Sequence, residues 1–460
     1  MTVIPPARRG ACPSLSRPMQ TGDGLIARLS PASGAFTARQ LAQVAQLAAR
    51  HGNGLLEVSL RGNLQVRGLS ASSAPLFAAA VTRAGIEVRR GIAIDISPLS
   101  GLDPQEPRDG RALAAAVGAR LQQAPWSQNL APKVSVVIDG GGQISLARLI
   151  GDLRLVAHGG GDCSSSNSGG ENGGESGWLV FVGSIEAESI CLGLLCGDDK
   201  AADAVTALLQ RLANMGSRAR GRDLTAADLV LPDHVMDALQ PPPPLSRQAS
   251  NPAPPLLGLR RLRGGGFVAG FALDLGTITA DRLSGFANAV VQANAATQIH
   301  AGACQITDRE ITGGQIIDGQ IRFAPGRIML VLLPDAAAGE ALRSSAAKLG
   351  LICQRDDPRL RYVTCAGAPA CASAHVQTHE LARAIHATCG DLLHEASQLP
   401  DGGRIHISGC SKRCADPGGA MIDIIAGADG CSIFHNGTLQ AGCVAPSDMP
   451  MVIGELVSKP

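Results

Sequence analysis

The sequence repeats itself, and that limits the fold more than any other feature. Gly34-Ala-Phe-Thr-Ala-Arg-Gln-Leu41 returns as Gly276-Thr-Ile-Thr-Ala-Asp-Arg-Leu283. Each copy follows a strand-like run and leads into an Ala-rich segment of helical period. Past the first helix, Leu55 to Val66 alternates as a half-buried strand does, and Gln320 to Val331 takes that part in the second copy. These two runs carry Arg61-Gly62 and Gly326-Arg327. Further on, the strand-like Arg90 to Pro98, a helical segment at about 111 to 123 and the strand Lys133 to Asp139 find counterparts in 360–364, 376–388 and 404–408. Two related halves are expected to face each other across a pseudo-twofold axis, and the cleft between them suits a large flat ligand.

The copies differ at one kind of place. The second carries Cys365-Ala-Gly-Ala-Pro-Ala-Cys371 and Cys410-Ser-Lys-Arg-Cys414 where the first has Ser97-Pro-Leu-Ser100 and Asp139-Gly-Gly-Gly142. Two cysteine pairs in loops of small residues, each after a strand, are what a cubane iron–sulfur cluster needs, because four thiolates must converge while the backbone comes close to the sulfides. Zinc sites mostly use C-x2-4-C knuckles in both halves, so C-x5-C with C-x3-C makes zinc the lesser alternative. Four buried free thiols are the other. Lys412 and Arg413 lie inside the second loop, where two cations raise a reduction potential, unless the loop is only a solvated turn.

Bulk properties set the frame for this redox reading. A chain of 460 residues holds two to four ordinary domains. Lys plus Arg, 40, balances Asp plus Glu, 39, so nothing calls for nucleic acid or an anionic membrane surface. Thirteen cysteines without a disulfide-framework spacing fit a reducing compartment. There is no apolar run of membrane-spanning length, and residues 1–20 interleave Pro, Arg and Cys instead of forming a signal core, so a cytoplasmic location is expected. Gln240 to Pro255 is too rich in proline for helix or central strand and is expected to be an extended linker at 240–256. His158 to Ser176, made of Gly, Ser, Asn and acidic residues, reads as a flexible loop, and 297–318 reads as an insertion absent from the first copy.

The run Thr364-Cys-Ala-Gly-Ala-Pro-Ala-Cys371 with Ser408-Gly-Cys-Ser-Lys-Arg-Cys-Ala-Asp-Pro417 resembles the cluster motif of the sulfite and nitrite reductase superfamily. Arg9-Gly-Ala-Cys-Pro13 and Pro18-Met-Gln-Thr-Gly-Asp-Gly-Leu25 narrow the likeness to the precorrin-3B synthase branch, over nearly the whole chain. The resemblance implies an α+β fold of two pseudo-twofold repeats, each a ferredoxin-like half-domain followed by a mixed-sheet cofactor-domain half. The corresponding boundaries are 15–85 and 86–235, then the linker, then 260–335 and an iron–sulfur domain at 336–455. It also implies a 4Fe-4S cluster on Cys365, Cys371, Cys410 and Cys414, with Cys414 as the bridge if a sirohaem is bound, and a second iron centre that is either mononuclear iron or sirohaem. The activity implied is oxygen-dependent: precorrin-3A is hydroxylated at C20 and an acetate arm closes into a γ-lactone, using dioxygen and reducing equivalents. No G-x-G-x-x-G follows an early strand, so a separate electron donor, an NADH-linked reductase or a ferredoxin, is expected.

By motif position, the residues implied to hold a tetrapyrrole's carboxylates are Arg61, Arg90, Lys133 and Arg327, since guanidinium forks pair with carboxylates bidentately. Each also has a plain reading as a solvated surface charge. Two departures from the motifs stand out. Ser135 replaces the second lysine of the reductases' anion site, which weakens the alternative of a sirohaem-dependent sulfite or nitrite reductase. Gly326 replaces the tryptophan usual in the T-P-W-R stretch. His375, His379 and His386 are expected on the helix after the first cysteine pair, where 375 and 379 make an i, i+4 pair able to chelate iron, although capping or surface roles are commoner. Cys12 is expected to be simply buried.

Overall fold

The structure, a computed structural model, describes residues 13–159, 176–243, 256–300, 319–395, 403–416 and 420–458. Their strands form four five-stranded sheets in two matched pairs. The first antiparallel sheet runs, in spatial order, Met19–Thr21, Gly24–Leu29, Leu64–Leu69, Leu55–Val58 and Thr277–Thr279. The second runs Gly258–Arg261, Phe267–Ala272, Ile328–Leu333, Gln320–Ala324 and Phe36–Thr37. The copies therefore exchange edge strands: Ile278 lies opposite Leu56, and Phe36 opposite Ile321. The exchanged pieces belong to the repeated octapeptides themselves, so each sheet is completed by residues far from it in the chain.

Local chemistry explains how each exchanged strand turns into a helix. Thr37 Oγ1 accepts the Gln40 N–H at 3.1 Å while Gln40 Oε1 accepts the Thr37 N–H at 3.0 Å. This reciprocal cap, worth roughly 1 kcal/mol, starts helix Ala38–His51. Its apolar stripe of Leu41, Val44 and Ala48 packs with helix Ala280–His300 over the inner faces of both sheets, closing one core with Leu56, Val66, Phe271, Phe286 and Val331. Each large side chain sealed there contributes roughly 1.5–3 kcal/mol.

The mixed sheets have the same plan twice. Ala93–Ile96, Ser135–Asp139 and Leu153–His158 run parallel, and Gly177–Val182 and Ile190–Leu195 complete the sheet antiparallel. Tyr362–Thr364, Ile405–Ser408, Ile422–Gly427, Gly430–His435 and Thr438–Val444 do likewise. Helices Arg111–Gln123 and Asp198–Met215 cover the first of these sheets, and Thr378–Glu395 with Met449–Val457 the second. The architecture is α+β.

The outer faces of the two antiparallel sheets differ in chemistry. Leu64 and Val66 point into the shared core, as Met329 and Val331 do in the second sheet, which leaves Gln65 and Arg67 outward where the second sheet has Leu330 and Leu332. On the second sheet that face is apolar and packs against Leu99, Leu102, Ile144, Leu146 and Leu149 from the loops of the cysteine-free half. On the first it is polar: Arg28 lies opposite Gln65, Gln65 opposite Glu57, and Glu57 opposite Thr277.

Of the expected connectors, 160–175 and 244–255 lie outside the described residues, as do 301–318 of the expected insertion, whose residues 297–300 end helix Ala280–His300. Gln240 exchanges two main-chain hydrogen bonds of 2.9 Å with Leu194, so the linker region begins bound to a sheet edge. Among the described residues no helix is long and apolar enough to cross a membrane.

Candidate functional site

The strands Tyr362–Thr364 and Ile405–Ser408 lie side by side and parallel, Thr364 opposite Ile407. Parallel neighbours end together, so the cysteine loops that follow them emerge next to each other. Main-chain bonds then join the loops: Cys365 N–H donates to Ile407 O at 3.3 Å, and His375 N–H to Gly409 O at 2.8 Å. Gly409 N–H donates to Cys365 Sγ at 3.2 Å, the kind of bond that tunes a cluster thiolate. Lys412 Nζ reaches across to Ser373 Oγ at 2.8 Å.

Within the first loop the chain folds back on itself. Cys371 N–H donates to Gly367 O at 2.7 Å, Ala374 N–H to Cys371 O at 3.0 Å, and Thr378 Oγ1 to Cys365 O at 2.7 Å. Gly367 needs its left-handed φ of 64°, and a Cβ there would stand 2.4 Å from Thr378 Oγ1. None of the four cysteines is in a disulfide; Cys410 is buried, Cys365 and Cys371 are half-buried and Cys414 is exposed.

These residues suit an iron–sulfur cube, with four thiols outside any disulfide, a donor aimed at one sulfur and small residues between. Among the described residues no three His, Cys, Asp or Glu side chains come together as ligands of one metal ion. A cube makes a different demand, one thiolate for each iron.

Behind the second loop, Arg413 takes a left-handed φ of 48° and pairs with Asp416 and Asp423. Asp423 Oδ1 in turn meets Nδ1 of the fully buried His406 at 2.7 Å. That carboxylate ties the loop to the sheet beneath it.

The expected ligand-binding cations have distinct fates. Arg61 is ion-paired with Asp95, as is Arg89, and it also donates to Ile150 O, the carbonyl that Ser135 Oγ approaches at 3.5 Å. Asp95 is shared by the two arginines, so the trio keeps one net positive charge. Arg327 is buried, with Nη1 on Leu275 O at 2.8 Å and Nη2 on Thr364 O at 2.5 Å. Burial pulls its guanidinium below the usual range, against the opposing pull of Glu57 and Cys365. From inside the protein it holds the residue before Cys365. Arg90 is exposed, without an ion-pair partner among the described residues, and Lys133 is half-buried just ahead of the strand that begins at Ser135.

The histidine expectation needs correction. Helix Thr378–Glu395 begins three residues after His375, which sits in the turn bonded to Gly409, so His375 and His379 are not a helical i, i+4 pair. Thr378 is completely buried beneath Cys365, and it is this contact that delays the helix start. Burial, and then the Arg327 cation, lowers the His379 pKa from its ordinary value, while His386 stacks edge-on against Tyr362 with ring centroids 5.6 Å apart. Cys12 lies outside the described residues.

Reading the residues in order missed Arg67 and its carboxylates. Arg67 forks onto Asp23 (Nε to Oδ2 and Nη2 to Oδ1, both 3.0 Å), and its Nη1 reaches Glu57 Oε2 at 2.9 Å. Burial pushes the Asp23 carboxyl up, but the Arg67 fork more than offsets this and holds it below the usual carboxylate range. Beside them Gln65, with its amide oxygen toward Arg28, accepts from Nε and Nη2 at 3.3 and 3.2 Å. The signal lay in the repeat: polar residues stand in one copy where the other has leucine.

Residues 17–84 match the family described as nitrite/sulfite reductase ferredoxin-like half domain. The structure is similar to that of the Mycobacterium tuberculosis NirA protein, with a TM-score of 0.70 at 18% identity over 94% of this chain and 80% of that one. The chain thus has a sulfite/nitrite reductase-like fold. A curated precorrin-3B synthase from a Sinorhizobium species is 33% identical over 94% of this chain and 83% of its own length. By comparison, a ferredoxin–nitrite reductase from Synechococcus elongatus is 32% identical over only 30% of this chain and 29% of its own. The chain belongs to the precorrin-3B synthase family, and it is an oxidoreductase.

Proposed function

We propose that the chain carries out the reaction for which its Sinorhizobium relative is named, converting precorrin-3A to precorrin-3B by hydroxylation at C20 and γ-lactone formation, with dioxygen and reducing equivalents. The match to that enzyme along nearly the whole chain carries the reading. Cys365, Cys371, Cys410 and Cys414 would hold a 4Fe-4S cluster, and a second iron, mononuclear or in a sirohaem, completes the cofactor set. When bound, these centres supply single electrons and oxygen activation.

The chain's own residues bind and orient. Tetrapyrrole carboxylates need cations in reach, and Arg28 on the polar sheet face, the exposed Arg90 and the nearby Lys133 supply them. Arg327 and the Gly409 N–H keep the first cysteine in place from below and from the side. The reaction belongs in the cytoplasm, where thiols stay reduced, with a separate protein donating electrons. A sulfite or nitrite reductase is disfavoured, because an anion site here would have a serine at 135 in place of a lysine and the ferredoxin–nitrite reductase matches only 30% of the chain.

Anaerobic reconstitution with iron and sulfide, incubation with precorrin-3A and a chemical reductant, and then admission of isotopically labelled dioxygen is the test. A hydroxylated lactone carrying the label is expected. A fully loaded protein that leaves precorrin-3A unchanged but reduces sulfite or nitrite would refute the proposal.

A further inference from the structure

The first cysteine loop is held from outside its own half. Ala370 O, next to Cys371, accepts two donors from the N-terminal copy: Arg67 Nη2 at 2.7 Å and Gly22 N–H at 3.1 Å. Gly22 lies so flat on the loop that a Cβ would stand 2.1 Å from Pro369 O and 2.9 Å from Ala372 N. Arg67 is 3% exposed, and all three guanidinium nitrogens are engaged, two on Asp23 and one on Glu57, with Nη2 shared between Asp23 and Ala370. A buried cation between two carboxylates is stable only while its geometry is kept, since removing one member strands an uncompensated charge. The trio carries one net negative charge and touches the cysteine loop directly.

We propose that Asp23, Arg67 and Glu57 form a positioning unit that sets the reduction potential of the cluster held by Cys365, Cys371, Cys410 and Cys414, acting through the Ala370 carbonyl. The unit rests on the cluster reading above and goes beyond it by joining the polar sheet to the redox loop. Reduction adds a negative charge at the cluster, so nearby charge shifts the potential with a definite sign. Arg67→Gln uncovers two carboxylates and lowers the potential. Asp23→Asn leaves Arg67 balanced by Glu57 alone and raises it. A unit that served only to stabilise the fold would weaken in both variants and move the potential in neither.

The test is an EPR-monitored redox titration of the full chain after reconstitution, with iron and sulfide counted. Shifts of opposite sign in R67Q and D23N at full cluster content are expected, with Arg67→Lys close to the parent. Unmoved potentials, or shifts of the same sign, overturn the proposal while leaving the cluster reading intact. A parent protein that takes up no iron and sulfide overturns both. Should R67Q fail to fold, Glu57→Gln replaces it, paired with D23N: both then raise the potential, and a fall or no change in either refutes the unit.

Discussion

The two mixed-sheet halves share their strand order and differ in what fills the loops at the ends of their parallel strands. In the cysteine-free half carboxylates of the loops staple their own backbone, and the other copy adds Arg322 on Pro98 O and Arg263 on Leu102 O and Glu106 O. Asp103 accepts the Gln143 N–H at 2.6 Å, Glu106 the Gly101 N–H at 2.6 Å, and Asp139 the N–H groups of Gly141 and Leu146 at 3.0 and 2.8 Å. Leucines from the same loops pack onto the apolar outer face of the second antiparallel sheet. In the cysteine half no carboxylate among the described residues staples the first loop; Thr378 holds Cys365 O, and Arg67 and Gly22 of the N-terminal copy hold Ala370 O. Both sets of loops are thus held across the copies, and what sets them apart is the carboxylate staples of the cysteine-free half.

The largest effect that would sharpen this contrast is in the ligands. Cys365→Ser is expected to reduce iron content, visible absorbance and turnover to background, whereas Ser100→Ala, in the run that takes the place of the first cysteine pair in the other half, leaves iron content unchanged. Next comes the leucine packing of the cysteine-free half: Leu99→Ala, at a completely buried position, should cost about 2–5 kcal/mol in denaturant unfolding without changing the absorbance per folded molecule. If instead that variant lost its cluster, the separation of roles between the halves would be wrong.

A smaller effect distinguishes the carboxylates by pH. Burial raises the Glu106 pKa, so the folded state binds that proton more tightly than the unfolded one. Its share of stability is present on the acid side and is lost as pH rises through the raised value. Asp23 is the reverse case: its share is present above the ordinary carboxylate range and is lost as pH falls through its depressed value. Urea midpoints measured against pH should therefore change slope with opposite sign in Glu106→Gln and Asp23→Asn. The smallest effect belongs to Arg90→Gln, exposed and without an ion pair: stability within about 0.5 kcal/mol of the parent, with only the KM for the tetrapyrrole rising.

Much of the scaffold was legible in the sequence because it is local. The helix expected at about 111 to 123 is Arg111–Gln123, and the octapeptide repeat marks a turn into helix that Thr37 and Gln40 cap by themselves. The start of helix Thr378–Glu395 was not legible, since a contact beneath Cys365 delays it. Nor were the fates of the arginines. Arg61 finds Asp95 on another sheet, and Arg67 meets a carbonyl 303 residues away.

The sequence alone determined the doubling of the chain, the four thiols and the strands that present them, because periodicity and spacing are properties of neighbouring residues. Only the tertiary structure decided which cations are spent inside the protein, which sheet face stays polar, and that one half holds the other's redox loop. Those outcomes follow from strand exchange and from charges that find their partners only once the two halves are packed together.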